Sequence, residues 1–298
     1  MMAASMLRPS PAPMTRLLPR ALMAPAVAVL LCWMLVPLLM TVYFSFVDYN
    51  LMQPGGHPFV GLRNYEFFVT DPDFMPAVRQ TLVFLASVVS ITVVLGVLLA
   101  LLVNEPFPGR GMVRVLLISP FFVMPAVNAL LWKHMMMNPI YGVLASLCRA
   151  LGLEPVDWLT EVPLLSVVIM VSWQWLPFAC LIFITSLQSL DREQMEAARM
   201  DGANALQRFH HLTLPHLARP MAVVVMIEMI FLLGVFAEIA ITTAGGPGNE
   251  STNLTYLIYK QSLMHFDVGV ASAGALFAVV LANIVAVFLI RIVGKSLD

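Results

Sequence analysis

Residues Gln188–Pro220 read QSLDREQMEAARMDGANALQRFHHLTLPHLARP, the longest polar interval between two long apolar runs, and they hold four of the chain's arginines. Asp191 is suited to an N-cap, with Gln194 three residues on as its capping-box partner. That cap would start a short helix through Glu196-Ala197-Ala198. Gly202 supplies a break, because glycine takes positive φ without strain. A second short segment is expected from Ala203 to Leu212, stopped by Pro215. A helix–glycine–helix piece between membrane spans is too short to fold alone, so it is expected to dock onto something.

The flanking runs set the class. Of 298 residues, 60% are hydrophobic and 11% charged, which excludes an ordinary soluble protein. Six nearly uncharged runs lie near 21–47, 80–103, 115–132, 163–187, 220–243 and 268–290. Each reaches or approaches the roughly 20 residues that cross a bilayer as a helix. The first run is too long for a signal-peptide core and lacks a clear cleavage site, so it reads as a span. The chain is therefore expected to be an all-α membrane protein with six transmembrane helices, preceded by a disordered tail over 1–20. Pro120 and Pro125 should kink or interrupt span three. Gln174 brings a hydrogen-bonding group to membrane depth, with Pro177 bending the helix around it.

Basic residues give the orientation. With the N-terminus inside, Arg8, Arg16, Arg20, Arg110, Arg114, Arg192, Arg199, Arg208, Arg219, Arg291 and Lys295 face the cytoplasm. Arg63, Arg79, Lys133, Arg149 and Lys260 face outward, so eleven stand against five. Both termini and the 188–219 loop are then cytoplasmic. A net charge of −1 with no basic stripe gives no sign of a nucleic-acid partner. Cys32 and Cys180 lie in apolar runs and Cys148 in a connecting loop, so they read as packing residues rather than a disulfide frame.

Several motifs then point to a family. Glu196-Ala197-Ala198, Gly202 six positions after the Glu, Leu212, Leu214 and Pro215 resemble the cytoplasmic EAA loop of binding-protein-dependent ABC importers. Asp201-Gly202-Ala203 and Phe209 fit the version in sugar permeases. FVGLRNY from Phe59, DPDF from Asp71, the 133–161 loop and WQWLPF from Trp173 are similar to further stretches of that family. Thr243-Ala244-Gly245-Gly246-Pro247 departs from its TGGGP turn at Ala244. In wording, LLISPFFVMPAVNALLWKHMMMNP, WQWLPF and LTLPHLARP look most like sorbitol/mannitol (polyol) permeases.

The resemblance implies a type I ABC importer permease in a bacterial cytoplasmic membrane, with a 21–298 permease domain and a coupling loop at 188–219. It implies a transport subunit rather than an enzyme, with no cofactor of its own and with ATP and Mg on partner ATPase subunits. The implied partners are a second permease, two ATP-binding cassette subunits and an extracytoplasmic solute-binding protein. Glu196, Ala197, Ala198, Asp201, Gly202, Ala203, Phe209, Leu212, Leu214 and Pro215 would carry the coupling to the ATPase.

A neutral polyol needs uncharged or acceptor groups and aromatic faces. Asn128, Trp173, Gln174, Glu228, Glu238 and Asn283 are what the spans offer, each of which could instead serve as a helix–helix hydrogen bond or an interfacial ring. Glu228 and Glu238 would lie about 15 Å apart and roughly 80° around a continuous span five, and so are not expected to share one site. Gly274, Ala278, Ala282 and Ala286 make a small-residue ridge for close helix packing in span six. A rival reading is an ion-coupled carrier using Glu228 or Glu238 as a proton site. Another is uptake of a disaccharide or glycerol phosphate, although no span contains an internal Lys or Arg to meet a phosphate. Gly294-Lys295-Ser296 fails as a Walker A end, since its first glycine would fall at Leu289. His210, His211 and His216 lack the spacing of a helical metal pair.

Overall fold

A computed structural model describes residues 14–53 and 55–295. In chain order the helices are α1 (Met14–Ser45), α2 (Arg63–Thr70), α3 (Phe74–Asn104), α4 (Arg110–Ile118) and α5 (Pro125–Leu131). After them come α6 (Val143–Ala150), α7 (Trp158–Glu161), α8 (Pro163–Gln188), α9 (Arg192–Met200) and α10 (Ala205–Arg208). The chain closes with α11 (Leu214–Leu232), α12 (Ala237–Thr242), α13 (Leu254–Tyr259) and α14 (Val268–Lys295). Five helical stretches are long and apolar enough to cross a membrane, and a bent pair makes a sixth. The expected all-α, six-span class is therefore observed.

Span three is the bent pair. Arg110–Phe122 and Pro125–Met136 meet at 106°. Pro120 opens a 3₁₀ turn over Ser119–Phe122, and Pro125 starts α5. A proline lacks the N–H that would continue the ladder, so two of them five residues apart divide the span. Span four behaves differently, since α8 runs on through Pro177.

Span five does not run from 220 to 243 as one helix. It enters as α11, breaks over residues 233–236, and resumes as the short α12. Asn253 Nδ2 donates to Val235 O at 2.6 Å, and Thr255 Oγ1 donates to Leu233 O at 2.5 Å. These side chains from the α13 region satisfy carbonyls that the break releases, which makes non-helical backbone tolerable at this depth. The continuous-helix geometry expected for Glu228 and Glu238 is therefore replaced, because they stand on separate helices.

Helices α3 and α8 form the central pair. Gly96 permits their approach, since a Cβ there would lie 3.0 Å from Ala179 Cβ and 3.2 Å from the Phe183 ring. Phe84, Val88, Val167, Val171 and Ile239 fill one part of the core, Val97, Ala100, Phe183 and Leu217 a second, and Phe68, Phe74, Leu254 and Leu257 a third. In span six, Gly274 receives the ring of Phe68 from α2 rather than only another spanning helix. The ridge expected there is partly a socket for this lateral helix. Helix α1 leans on α14 and is exposed along most of its described side chains.

One end of the bundle gathers the segments between spans one and two and between five and six. Lys260 Nζ lies 3.3 Å from Asp73 Oδ2, Asn249 Nδ2 donates to Asp73 Oδ1 at 2.7 Å, and Gln261 Nε2 donates to Asp71 Oδ2 at 2.8 Å. The opposite end brings the α3–α4 turn against α9, with Asn104, Arg110, Glu196 and Arg199 around one cleft.

Three local expectations change. The tail expected over 1–20 lies outside the described residues up to 13, while α1 already begins at Met14, since extending an existing helix costs far less than nucleating one. Cys148 sits on α6 rather than in a loop, Cys180 is buried, and Cys32 is exposed. Of the rejected Walker-like triplet, Gly294 and Lys295 are helical in α14 and Ser296 lies outside the described residues.

Candidate functional site

The two breaks border one cavity. About 460 Å³ of space is lined by Phe121, Val123 and Pro125 at the break in span three, and by Gly234–Glu238 at the break in span five. Gln174, Trp175 and Phe178 of α8 and Ile227 and Phe231 of α11 complete its wall. The wall is largely apolar, five of its side chains are aromatic, and one amide and one carboxyl stand among them. Trp175 packs against Phe121 at 5.7 Å, Phe178 at 5.9 Å and Phe231 at 5.4 Å between ring centroids.

Gln174 holds this arrangement together. Its Nε2 donates to Val123 O at 2.6 Å, at the bend itself, and its Oε1 accepts from Asn128 Nδ2 at 2.9 Å. Asn128 Nδ2 also donates to Met170 O at 3.2 Å. A carbonyl freed by the proline break thus finds a partner on α8, as backbone at this depth requires. The same amide that braces the break also reaches the cavity wall.

The six residues expected along a pathway do not form one site. Gln174 and Glu238 share the cavity, and Asn128 supports Gln174 from behind. Trp173 turns toward Trp132, with ring centroids 5.9 Å apart. Glu228 is buried against α3, where Thr92 Oγ1 donates to its Oε2 at 2.6 Å. Asn283 is exposed on α14, apart from this cavity, and donates to Val279 O of its own helix at 2.8 Å. Span periodicity alone could not separate these cases, because the breaks reset which face each residue presents.

The polar loop opposite folds as a helix–turn–helix with a different internal logic from the expected one. Asp191 caps α9 by accepting from Glu193 N at 2.9 Å, not by a box with Gln194. The capping box lies between Asn204 and Gln207, which exchange bonds of 2.8 and 2.9 Å. Gly202 has φ +83° and closes α9. Its N–H donates to Arg199 O at 3.1 Å while Ala203 N donates to Ala198 O at 3.0 Å, the paired bonds of a Schellman turn. Pro215 does not stop the second segment. A π-helical stretch over Phe209–Thr213 leads straight into α11, whose first turn needs no N–H from Pro215.

Exposure divides the ten coupling candidates. Ala198, Ala203, Phe209, Leu212 and Leu214 are half-buried and shape the loop, with Phe209 packed toward the α3–α8 core. Glu196, Ala197, Asp201, Gly202 and Pro215 are exposed. Two neighbours not singled out from sequence are more conspicuous, since Met200 is 85% exposed and Leu206 75%. Their signal was available, as the large apolar side chains flanking the glycine in an otherwise polar interval. His216 Nε2 lies 2.9 Å from Ser186 O and ties the start of α11 to the end of α8, while His211 Nδ1 lies 2.9 Å from Gln207 O.

Comparison with known proteins follows this geometry. The family model described as binding-protein-dependent transport system inner membrane component matches residues 14–298. A probable ABC transporter permease protein of Sinorhizobium fredii is 40% identical over 251 residues, covering 84% of this chain and 81% of the relative. The trehalose/maltose transport system permease protein MalF of Thermococcus litoralis is 32% identical over 259 residues, covering 86% and 87%. Among solved structures, a bacterial ABC transporter involved in import of the acidic polysaccharide alginate superposes with TM-score 0.78 at 22% identity, covering 95% of this chain and 96% of that one.

Proposed function

Because this chain belongs to the family of binding-protein-dependent transport system inner membrane components, we propose that it is one permease subunit of an ATP-driven importer and that its cavity passes a neutral sugar or polyol. As a family member it is a membrane transport component rather than an enzyme. In this reading a second permease completes the pathway, two ATPase subunits drive it, and an extracytoplasmic binding protein delivers the solute. Both termini and the 188–219 loop face the cytoplasm, as the eleven-to-five distribution of basic residues favours.

The observation that carries the substrate class is the cavity wall. Aromatic faces with one amide and one carboxyl suit a ligand made of C–H faces and hydroxyls. Among the described residues lining it none is basic, which disfavours a phosphate ester or an acidic glycan. Sorbitol and mannitol are the first candidates from the sequence wording. A neutral disaccharide is the second, favoured by the trehalose/maltose relative.

The loop supplies the coupling. ATP binding on the partner subunits would draw the α9–Gly202–α10 piece with them, and Met200 and Leu206 would supply apolar anchors in the ATPase groove. Burying an exposed Met or Leu side chain stabilises a contact by about 1.5–3 kcal/mol. Labelled sorbitol, mannitol and trehalose uptake, with and without this chain, tests the function. Uptake that needs the chain, follows ATP and survives collapse of the proton gradient is the expected result. Uptake that follows the gradient would favour an ion-coupled carrier instead.

A further inference from the structure

Lys133 follows α5 in the π-helical stretch Trp132–Met136 and is half-buried beside α12. Its Nζ donates to Ile241 O at 2.8 Å, one turn beyond Glu238 on the same short helix. A lysine ammonium on the last carbonyls of a helix satisfies groups that have no partner within it. Helix α12 has six residues, so its own backbone bonds cannot fix its direction. Its entry is held by Asn253 on Val235 O and Thr255 on Leu233 O. Its exit is held by Lys133. Between those anchors lies Glu238, 3% exposed and lining the cavity.

We propose that Lys133 is a positioning residue that holds α12 by its C-terminal carbonyl and so aims Glu238 at solute in the cavity. The effect on solute rests on the sugar-passing reading of the cavity; the effect on α12 does not. Lys133 does not line the cavity, so it acts through α12 alone. An arginine can make the same donation, whereas methionine keeps the length and loses the donor.

Two measurements on the full chain in its assembled importer test this. The first replaces Glu238→Cys together with Cys32→Ala and Cys148→Ala, leaving the buried Cys180, and follows labelling by a small water-soluble thiosulfonate. Adding Lys133→Met should change the labelling rate by about tenfold and adding Lys133→Arg should restore it, as loss and return of one charge-assisted hydrogen bond would. Lys133→Leu, which also has no donor, replaces Lys133→Met if the latter fails to reach the membrane. The second follows uptake of labelled sorbitol, mannitol and trehalose with Glu238 intact. Lys133→Met should raise the half-saturation concentration of whichever probe the wild type takes up while leaving the maximal rate nearly unchanged, with Lys133→Arg again restoring it. Unchanged labelling overturns the proposal, as does a half-saturation concentration that stays fixed while labelling changes. If the wild type takes up none of the three probes, the sugar reading fails, and labelling alone still decides whether Lys133 positions α12.

Discussion

Asn128 donates a 2.9 Å hydrogen bond to Gln174, and Gln174 donates in turn to the Val123 carbonyl at the bend of span three. This relay from α5 to α8 to the break lets a sharply bent span exist inside an apolar bundle. It also fixes one wall of the cavity. Brace and wall are the same side chain.

Removing one member should therefore be costly. Asn128→Leu leaves Gln174 Oε1 buried without its donor and should destabilise the protein by about 1–3 kcal/mol. Gln174→Leu should cost at least as much, since it also strands the Val123 carbonyl. The double variant should lose less than the sum of the two. Thermal unfolding in detergent reads all three.

At Gly202 the backbone angle decides, because a Cβ placed there would meet nothing within 4 Å. The φ of +83° costs an ordinary L-residue roughly 1–2 kcal/mol. Gly202→Val should therefore unwind the Schellman turn and abolish most uptake at unchanged membrane level. Gly202→Asn, which tolerates this region, should retain much of it. Uptake normalised to protein in the membrane separates the two.

Exposed Met200 and Leu206 should matter for assembly rather than folding. Met200→Asp and Leu206→Asp should each shift stability by no more than about 0.5 kcal/mol, as surface changes do. Both should reduce co-purification of the ATPase subunits. Undiminished recovery of the ATPase with both changes would move the docking surface elsewhere.

Gly274 should resist substitution because the Phe68 ring occupies the space a Cβ would need. Gly274→Val should destabilise by about 1–3 kcal/mol through overpacking. Phe68→Ala in the same chain should recover part of that loss, since it empties the site the new side chain enters. A double-mutant cycle on unfolding midpoints measures the coupling.

Glu228 tests the carrier alternative. Glu228→Gln keeps an oxygen to accept from Thr92 Oγ1, the bond that joins α11 to α3. Uptake and its dependence on ATP should persist in this variant. Loss of uptake with normal membrane levels would point to a proton role for the carboxyl.

The sequence by itself determined the class, the span count and the position of the polar loop. Those follow from local quantities: the length of an uncharged run, a glycine between two short helical segments, prolines that cannot continue a helix. The tertiary structure decided what each polar residue in the spans does. Glu228 and Glu238 read alike as lone acids in one run, yet one meets Thr92 and the other faces the cavity, because α13 side chains stabilise a break between them. Lys133 read as one outward charge among five, and only packing put it on the end of α12. Pro215 likewise read as the stop of a helical segment, but α11 begins there. A break in a buried helix survives only where distant side chains satisfy the freed backbone groups. Those donors lie on other helices, and the fold alone brings them into place.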